Sequence, residues 1–178
     1  MKRLILIRHG QTQKGKNEPE RTLTIEGEDA IAEAAFAMRK YILGSVAILH
    51  SPTLRTRQSA NIIGEVIGCE DIQKADLRVN GVELVAARAN ASKIFGIPEA
   101  AIYMQKVQSL NLEIETPEQT YLRFKEIFNS INAQTIIAVS HEPAIRIFLD
   151  RVQGLNIIFK SFQHVCGFAD FIVIDNQA

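Results

Sequence analysis

Short, unbroken apolar runs alternate along this chain with longer stretches in which apolar residues recur every three or four positions. Residues 4–7, 46–49 and 135–139 lack polar alternation, which is the pattern of parallel strands covered on both faces. Between the first two, the spacing of Ala30, Ala34, Ala37, Met38 and Tyr41 predicts a helix over 27–43, with Thr24 as its cap. A second helix is expected over 52–67, with Leu54, Ala60, Ile63 and Ile67 near one stripe and Gly68 ending it. Thr116-Pro117-Glu118 opens a third to about residue 131 by the cap-then-proline rule, and Pro143 opens another to residue 152. A last strand is read over 168–174. In the middle, 82–95 and 99–108 read as helices broken at Gly96-Ile97-Pro98. No repeat, low-complexity stretch or linker interrupts the series, so one α/β domain over residues 1–178 is expected, with a mostly parallel central sheet.

In such sheets ligands sit beyond the carboxyl ends of the strands. The residues just past each strand are therefore informative: Arg8-His9-Gly10, then His50-Ser51-Pro52 with Arg55, then Ser140-His141-Glu142-Pro143. The second and third turns each place a proline where a helix should begin, so helix N-termini with unsatisfied N–H groups are expected at the same edge. Two arginines and two or three histidines converge there. That edge should bind an anion.

Composition sharpens this by making it local. Twenty basic and twenty acidic side chains cancel in 178 residues, which leaves the molecule as a whole no electrostatic claim on nucleic acid or on a membrane surface. Cys69 and Cys166 have no metal-ligand or Cys-x-x-Cys spacing, as suits a reducing compartment. Lys2 and Arg3 precede an apolar run far too short for a signal peptide, and no segment nears the roughly 20 apolar residues of a membrane span. A cytoplasmic location is expected.

An arginine fork matches phosphate oxygens and stays charged at any working pH, so Arg8 and Arg55 suit the clamping of one phosphoryl group. A neutral imidazole between them can attack phosphorus, and His9, pinned at a strand end, is the nucleophile candidate. His141 would meet charge developing on the phosphoryl oxygens. A leaving alkoxide needs a proton, for which Glu83 is the candidate and Asp76 the alternative. The arrangement requires no metal and no cofactor. His50, His164, Arg123 and Arg146 read as structural residues, while Lys14, Lys16 and Arg21 form a basic loop beside the site that suits either solvent or substrate.

These residues resemble the histidine phosphatase superfamily, the phosphoglycerate-mutase-like proteins with an Arg-His-Gly motif. "RHGQT" at 8–12 looks like the nucleophile motif, "RTLTIEG" at 21–27 like the segment opening the first helix, "SPTLRTRQSA" at 51–60 like the second arginine motif, and "VSHEPAIR" at 139–146 like the second histidine motif. The resemblance spans nearly the whole chain. It implies a three-layer sandwich, a phosphohistidine at His9, phosphate ligands at Arg8, Arg55 and His141, and substrate contacts from Gln11, Thr12, Asn17 and Arg21. Many members carry an asparagine where Gly15 stands, and Asn17 is expected to take its part. Branches with a glutamate acid show Leu-x-Glu where this chain reads "LRV" at 77–79, which displaces the acid to Glu83. The compact length and "RTLT" look more like the small phosphatases, phosphohistidine phosphatases included, than the mutases.

The expected activity is a phosphatase that acts on a phosphorylated small molecule or phosphoprotein through His9 and releases phosphate to water. A phosphohistidine protein phosphatase, a mutase and a non-catalytic phosphate-binding module are the alternatives. A zinc protein fits least, because no two histidines stand at ligand spacing and the arginines would repel a cation.

Overall fold

Successive side chains of a strand point to opposite faces, so an unbroken apolar run requires cover on both. The computed structural model describes residues 2–14, 20–78, 115–151, 156–162 and 166–176. Among them the elements run β1 (Lys2–Arg8), α1 (Ile25–Met38), a 3-10 turn (Arg39–Tyr41), β2 (Val46–His50), α2 (Leu54–Ile67), β3 (Ile72–Lys74), α3 (Pro117–Ser130), β4 (Thr135–Ser140), α4 (Glu142–Arg151), β5 (Asn156–Lys160) and β6 (Phe171–Asn176). Leu4 and Leu6 of β1 enter one core, which Phe124 and Phe128 of α3 and Ile145 and Phe148 of α4 close. Ile5 and Ile7 enter the other, closed by Ile31, Ala35 and Met38 of α1 and by Ala60 and Ile63 of α2. Each large side chain buried in this way stabilises the fold by about 1.5–3 kcal/mol relative to exposure. The result is a three-layer α/β sandwich.

The described strands form one sheet in the order β3-β2-β4-β1-β6-β5. β1, β2, β3 and β4 run parallel, while β6 is antiparallel to β1 and β5 to β6. From the end of β1 the chain passes to β2, beyond β4, whereas from the end of β4 it passes to β5, beyond β1. Neighbouring strands thus send their connections in opposite directions. Such a reversal ordinarily leaves a crevice outside the carboxyl ends of the two strands, the usual place for a ligand in this architecture.

Local chemistry explains most of the element boundaries. Thr24 caps α1 by accepting from the Gly27 amide at 3.1 Å. Thr116 and Gln119 form a reciprocal capping box with Pro117 in the first turn of α3. α2 ends at Gly68, whose φ of 74° is the left-handed conformation that glycine adopts without strain.

Other boundaries move. The helix read over 27–43 starts at Ile25 and tightens into the 3-10 turn after Met38. The helix expected from residue 52 starts at Leu54, because Thr53 takes the extended cap conformation (φ −108°, ψ 154°) and its carbonyl accepts from the Arg57 amide at 3.1 Å. Pro52 lies in the bend ahead of it. The last strand begins at Phe171 rather than at residue 168, since Ala169 has a φ of 58° that no strand accommodates. β3 and β5 add two strands that the apolar pattern does not announce, and the helices read over 82–95 and 99–108 lie outside the described residues.

Candidate active site

β1 and β4 end side by side, with Arg8 paired to Ser140, and the His9 amide extends the ladder to the Ser140 carbonyl at 3.2 Å. The chain then turns at Gly10. A Cβ on Gly10 would lie 2.4 Å from the Gly27 carbonyl oxygen, and one on Gly27 would lie 2.3 Å from that of Gln11. Both glycines are required because two backbones touch: the loop that carries the histidine rests on the first turn of α1. Ser59 ties the same loop to α2, accepting from the Gly10 amide at 3.2 Å and donating to the Arg55 carbonyl at 2.8 Å.

These supports converge on a small set of polar side chains. A carbonyl only accepts, so the 2.8 Å contact between His9 Nδ1 and the Gly10 carbonyl places the imidazole proton on Nδ1 and leaves a lone pair on Nε2. Arg55, in the first turn of α2, donates from Nε to that Nε2 at 3.2 Å, and its Nη2 lies 3.5 Å from His141 Nδ1. The His9 and His141 rings meet edge-on with centroids 5.2 Å apart. Arg8 donates from Nη1 to the Cys166 carbonyl at 2.7 Å, and its guanidinium carbon lies 4.1 Å from the centre of the Phe168 ring. Arg8 Nε and His141 Nε2 are buried with no hydrogen-bond partner among the described residues. Such groups cost free energy unless a ligand or ordered water satisfies them.

Burial holds the His9 imidazole far below its ordinary range, at about 3, and the charges of Arg55, Arg8 and Arg21 add to the effect. Burial likewise puts His141 at about 2, helped by His9, Arg55, Arg78 and Arg8. Both rings are therefore neutral at physiological pH, inside a field of arginines. The Cys166 thiol is pushed up to about 12, chiefly by burial, which leaves it protonated and inert.

The structure brings together Arg8, His9, Arg55 and His141, as expected, and the charge of Arg21 reaches His9. Gln11 and Thr12 have backbone roles: the Gln11 carbonyl accepts from the Thr24 amide at 2.9 Å, and Thr12 bridges to Leu23. Glu83 and Asn17 lie outside the described residues, as do Lys16 and His164. The Asp76 side chain is occupied by Arg78 at 3.4 Å. His50 is buried and donates from Nδ1 to the Ser51 carbonyl at 2.8 Å. Arg146 pairs with Glu142 and Arg123 with Glu115, as structural arginines should. Arg123 also donates to the carbonyls of Asp76 and Arg78, fixing the strand exit from which the Arg78 charge reaches His141.

Three neighbours of the site escaped the sequence reading. Ser59 had a signal, standing one helical turn after Arg55. Arg78 had one in the departure at 77–79. Phe168 had none, because "FADFIVI" reads as continuous strand. Among the described residues no group of three or more histidine, cysteine or acidic side chains is placed to hold a metal ion, and no described helix is long and apolar enough to cross a membrane.

No curated protein matches this chain. Among solved structures it is similar to a protein from Nakamurella multipartitia assigned as the phosphohistidine phosphatase SixA, at 18% identity and a TM-score of 0.52, with 83% of this chain covered but only 63% of that one. It is also similar to the protein histidine phosphatase SixA in complex with tungstate (18% identity, 83% and 74% covered, TM-score 0.50). A third match is to an assigned α-ribazole-5'-P phosphatase from Escherichia coli (17% identity, 86% and 80% covered, TM-score 0.56). At such identities the likeness is one of fold. The family model of the histidine phosphatase superfamily, branch 1, matches residues 4–169, a span that contains every side chain of the crevice, and the chain belongs to that superfamily.

Proposed function

We propose that the protein is a phosphatase in which His9 Nε2 takes the phosphoryl group of a phosphorylated small molecule or phosphoprotein and yields it to water. One observation carries this reading. A neutral imidazole has its proton fixed on Nδ1 and its lone pair directed at Arg55, beside two buried donors that lack partners among the described residues. Phosphoryl transfer asks mainly for positioning and charge stabilisation, which these groups supply once Arg55 releases the lone pair.

In the first step the Nε2 lone pair forms a bond to phosphorus as the bond to the leaving group breaks. Arg55 moves from the lone pair to a phosphoryl oxygen, Arg8 Nε donates to a second, and His141 Nε2–H to a third. Positive charge builds on the His9 ring, and its Nδ1–H bond to Gly10 strengthens. A leaving alkoxide takes its proton from an acid, the part assigned to Glu83. In the second step water attacks the phosphohistidine, the N–P bond breaks, and His9 is regenerated as phosphate departs. Side chains carry every step, so turnover is expected to persist in chelator.

A phosphohistidine substrate is a second reading, supported by the Leu77-Arg78-Val79 sequence, which lacks a glutamate at its third position, and by the names of two structural neighbours. An imidazole leaving group depends less on an acid than an alkoxide does.

The test is phosphate release from para-nitrophenyl phosphate, with chelator present, by the native chain, His9→Ala and Glu83→Gln, together with trapping of acid-labile phosphate on the protein. Native turnover with a labelled intermediate, lost by about a thousandfold or more in His9→Ala, is the expected result. Full activity in His9→Ala would overturn the mechanism. Release from phosphohistidine but not from the aryl ester would select the second reading.

A further inference from the structure

Phe168 is 45% exposed, although a ring of this size ordinarily gains by burial. Its position is built. Asp170 accepts from the Gly167 amide at 2.7 Å and from the Ser161 hydroxyl at 2.8 Å, which closes the turn from both sides. Ala169 sits at a φ of 58°, a conformation that costs a residue with a Cβ about 1 kcal/mol or more. It is held there as its amide donates to the Arg8 carbonyl at 3.2 Å. The turn that displays the ring is thus anchored on the residues that carry the chemistry. Strain of this kind persists where the surroundings fix it and clusters at ligand sites.

The ring has two neighbours. The Arg8 guanidinium covers one side, 4.1 Å from the ring centre, and the His9 imidazole lies 5.6 Å away at 49°. A phosphoryl group that satisfies Arg8 Nε and His141 Nε2 in front of His9 Nε2 has its leaving group in line, on the side away from His9. The ring, its centre 5.6 Å from that of the imidazole, keeps an exposed part that Arg8 does not cover.

We infer that Phe168 is a specificity-determining residue, a platform for a flat ring joined to the phosphoryl group, such as an aryl or imidazole leaving group. This rests on the reading of the crevice as a phosphoryl site. An offset or edge-to-face contact rewards an aromatic partner and gives a small alkyl group little. By covering Arg8, the same ring also holds the guanidinium in place for every substrate.

Binding separates the two roles without requiring turnover. Phenylphosphonate and methylphosphonate are titrated into the native chain, Phe168→Leu and Phe168→Trp. The native chain should prefer the phenyl compound by about three- to tenfold, Phe168→Trp should keep that preference, and Phe168→Leu should lose most of it. An unchanged preference in Phe168→Leu, or weakening of both compounds by one factor, would overturn the inference and leave Phe168 only its hold on Arg8. Failure of the native chain to bind either compound would instead overturn the phosphoryl-site reading, and the inference with it. Turnover then names the source of the ring. A kcat/KM loss in Phe168→Leu confined to a phosphohistidine peptide points to imidazole, one confined to para-nitrophenyl phosphate points to an aryl ester, and an equal loss on acetyl phosphate counts against the platform.

Discussion

β1 carries an arginine near each end, and the two are used in opposite ways. Arg3 meets Asp175, its register partner on β6, through two hydrogen bonds of 2.7 and 3.0 Å, and donates a third to the Tyr41 carbonyl at 2.8 Å. Nearby, Lys2 donates to the Ile131 carbonyl at 2.5 Å, at the carboxyl end of α3. Charge at this edge of the sheet is matched internally. At the other edge Arg8 has a carbonyl, the face of a ring and a buried Nε without a partner among the described residues, with Arg55, Arg21 and Arg78 adding to the same field. The paired arginine ties two strands together, while the other keeps donor capacity that no described residue uses.

Exchanging the two roles by mutation tests that contrast. The largest effect is expected from Arg8→Gln, which should lower kcat/KM for an aryl phosphate by about a hundredfold or more while the melting temperature stays near native. Equal loss of both would make Arg8 a structural residue after all. Next comes Arg3→Gln, where the reverse is expected. Removing one partner of a buried pair strands the Asp175 carboxylate and should cost about 3 kcal/mol in denaturant unfolding, with kcat/KM within about twofold of native. A large loss of activity at unchanged stability there would erase the distinction.

Acid offers a smaller and more graded comparison. The folded-state values of His9 and His141, about 3 and about 2, lie below the ordinary 6.5, so the unfolded chain takes up their protons first. The stability this represents is fully present above about pH 6.5 and is lost progressively as pH falls towards those folded values. At the other edge the Arg3 guanidinium holds the Asp175 carboxyl below its ordinary 3.8, so its contribution disappears only in stronger acid, as pH falls through the folded value. Thermal melts between pH 6.5 and 4.5 should therefore decline less steeply in a His9→Gln/His141→Gln double variant than in the native chain. An identical slope would mean that the imidazoles are not held neutral by the fold.

How much of this was legible depends on whether a feature is written in one stretch of sequence. β1, β2 and β4 could be read because burial on both faces leaves an unmixed apolar run. Thr24, Thr116 and Gly68 could be read because caps and stops are local chemistry. The four residues lining the crevice could be read because each directly follows or closely trails a strand. β3 was hidden by its three-residue length, and β5 because it is an edge strand whose Ile157 and Ile158 are both exposed, with no alternation to betray it. Pro52 misled because the chain stays extended through Thr53 before the helix begins at Leu54. Phe168 was misread for a subtler reason: the turn that lifts it out of the strand depends on an alanine at positive φ, a conformation imposed by contacts to Arg8 and His9 from across the sheet.

The contact between Gly10 and Gly27 reaches beyond local geometry. Gln13 donates to the Thr22 carbonyl, Thr12 bridges to Leu23, and Thr24 donates to Gln11, so the segment between Gln13 and Thr22 leaves and returns through one small ladder already fastened to α1. Lengthening such a closed segment is cheap, about 0.6 kcal/mol for each doubling. It also leaves the histidine where it is. Changes of length in this segment are therefore expected to leave the position of His9 unaltered. The two glycines form the joint between a segment whose length can change cheaply and a loop whose backbone is fixed.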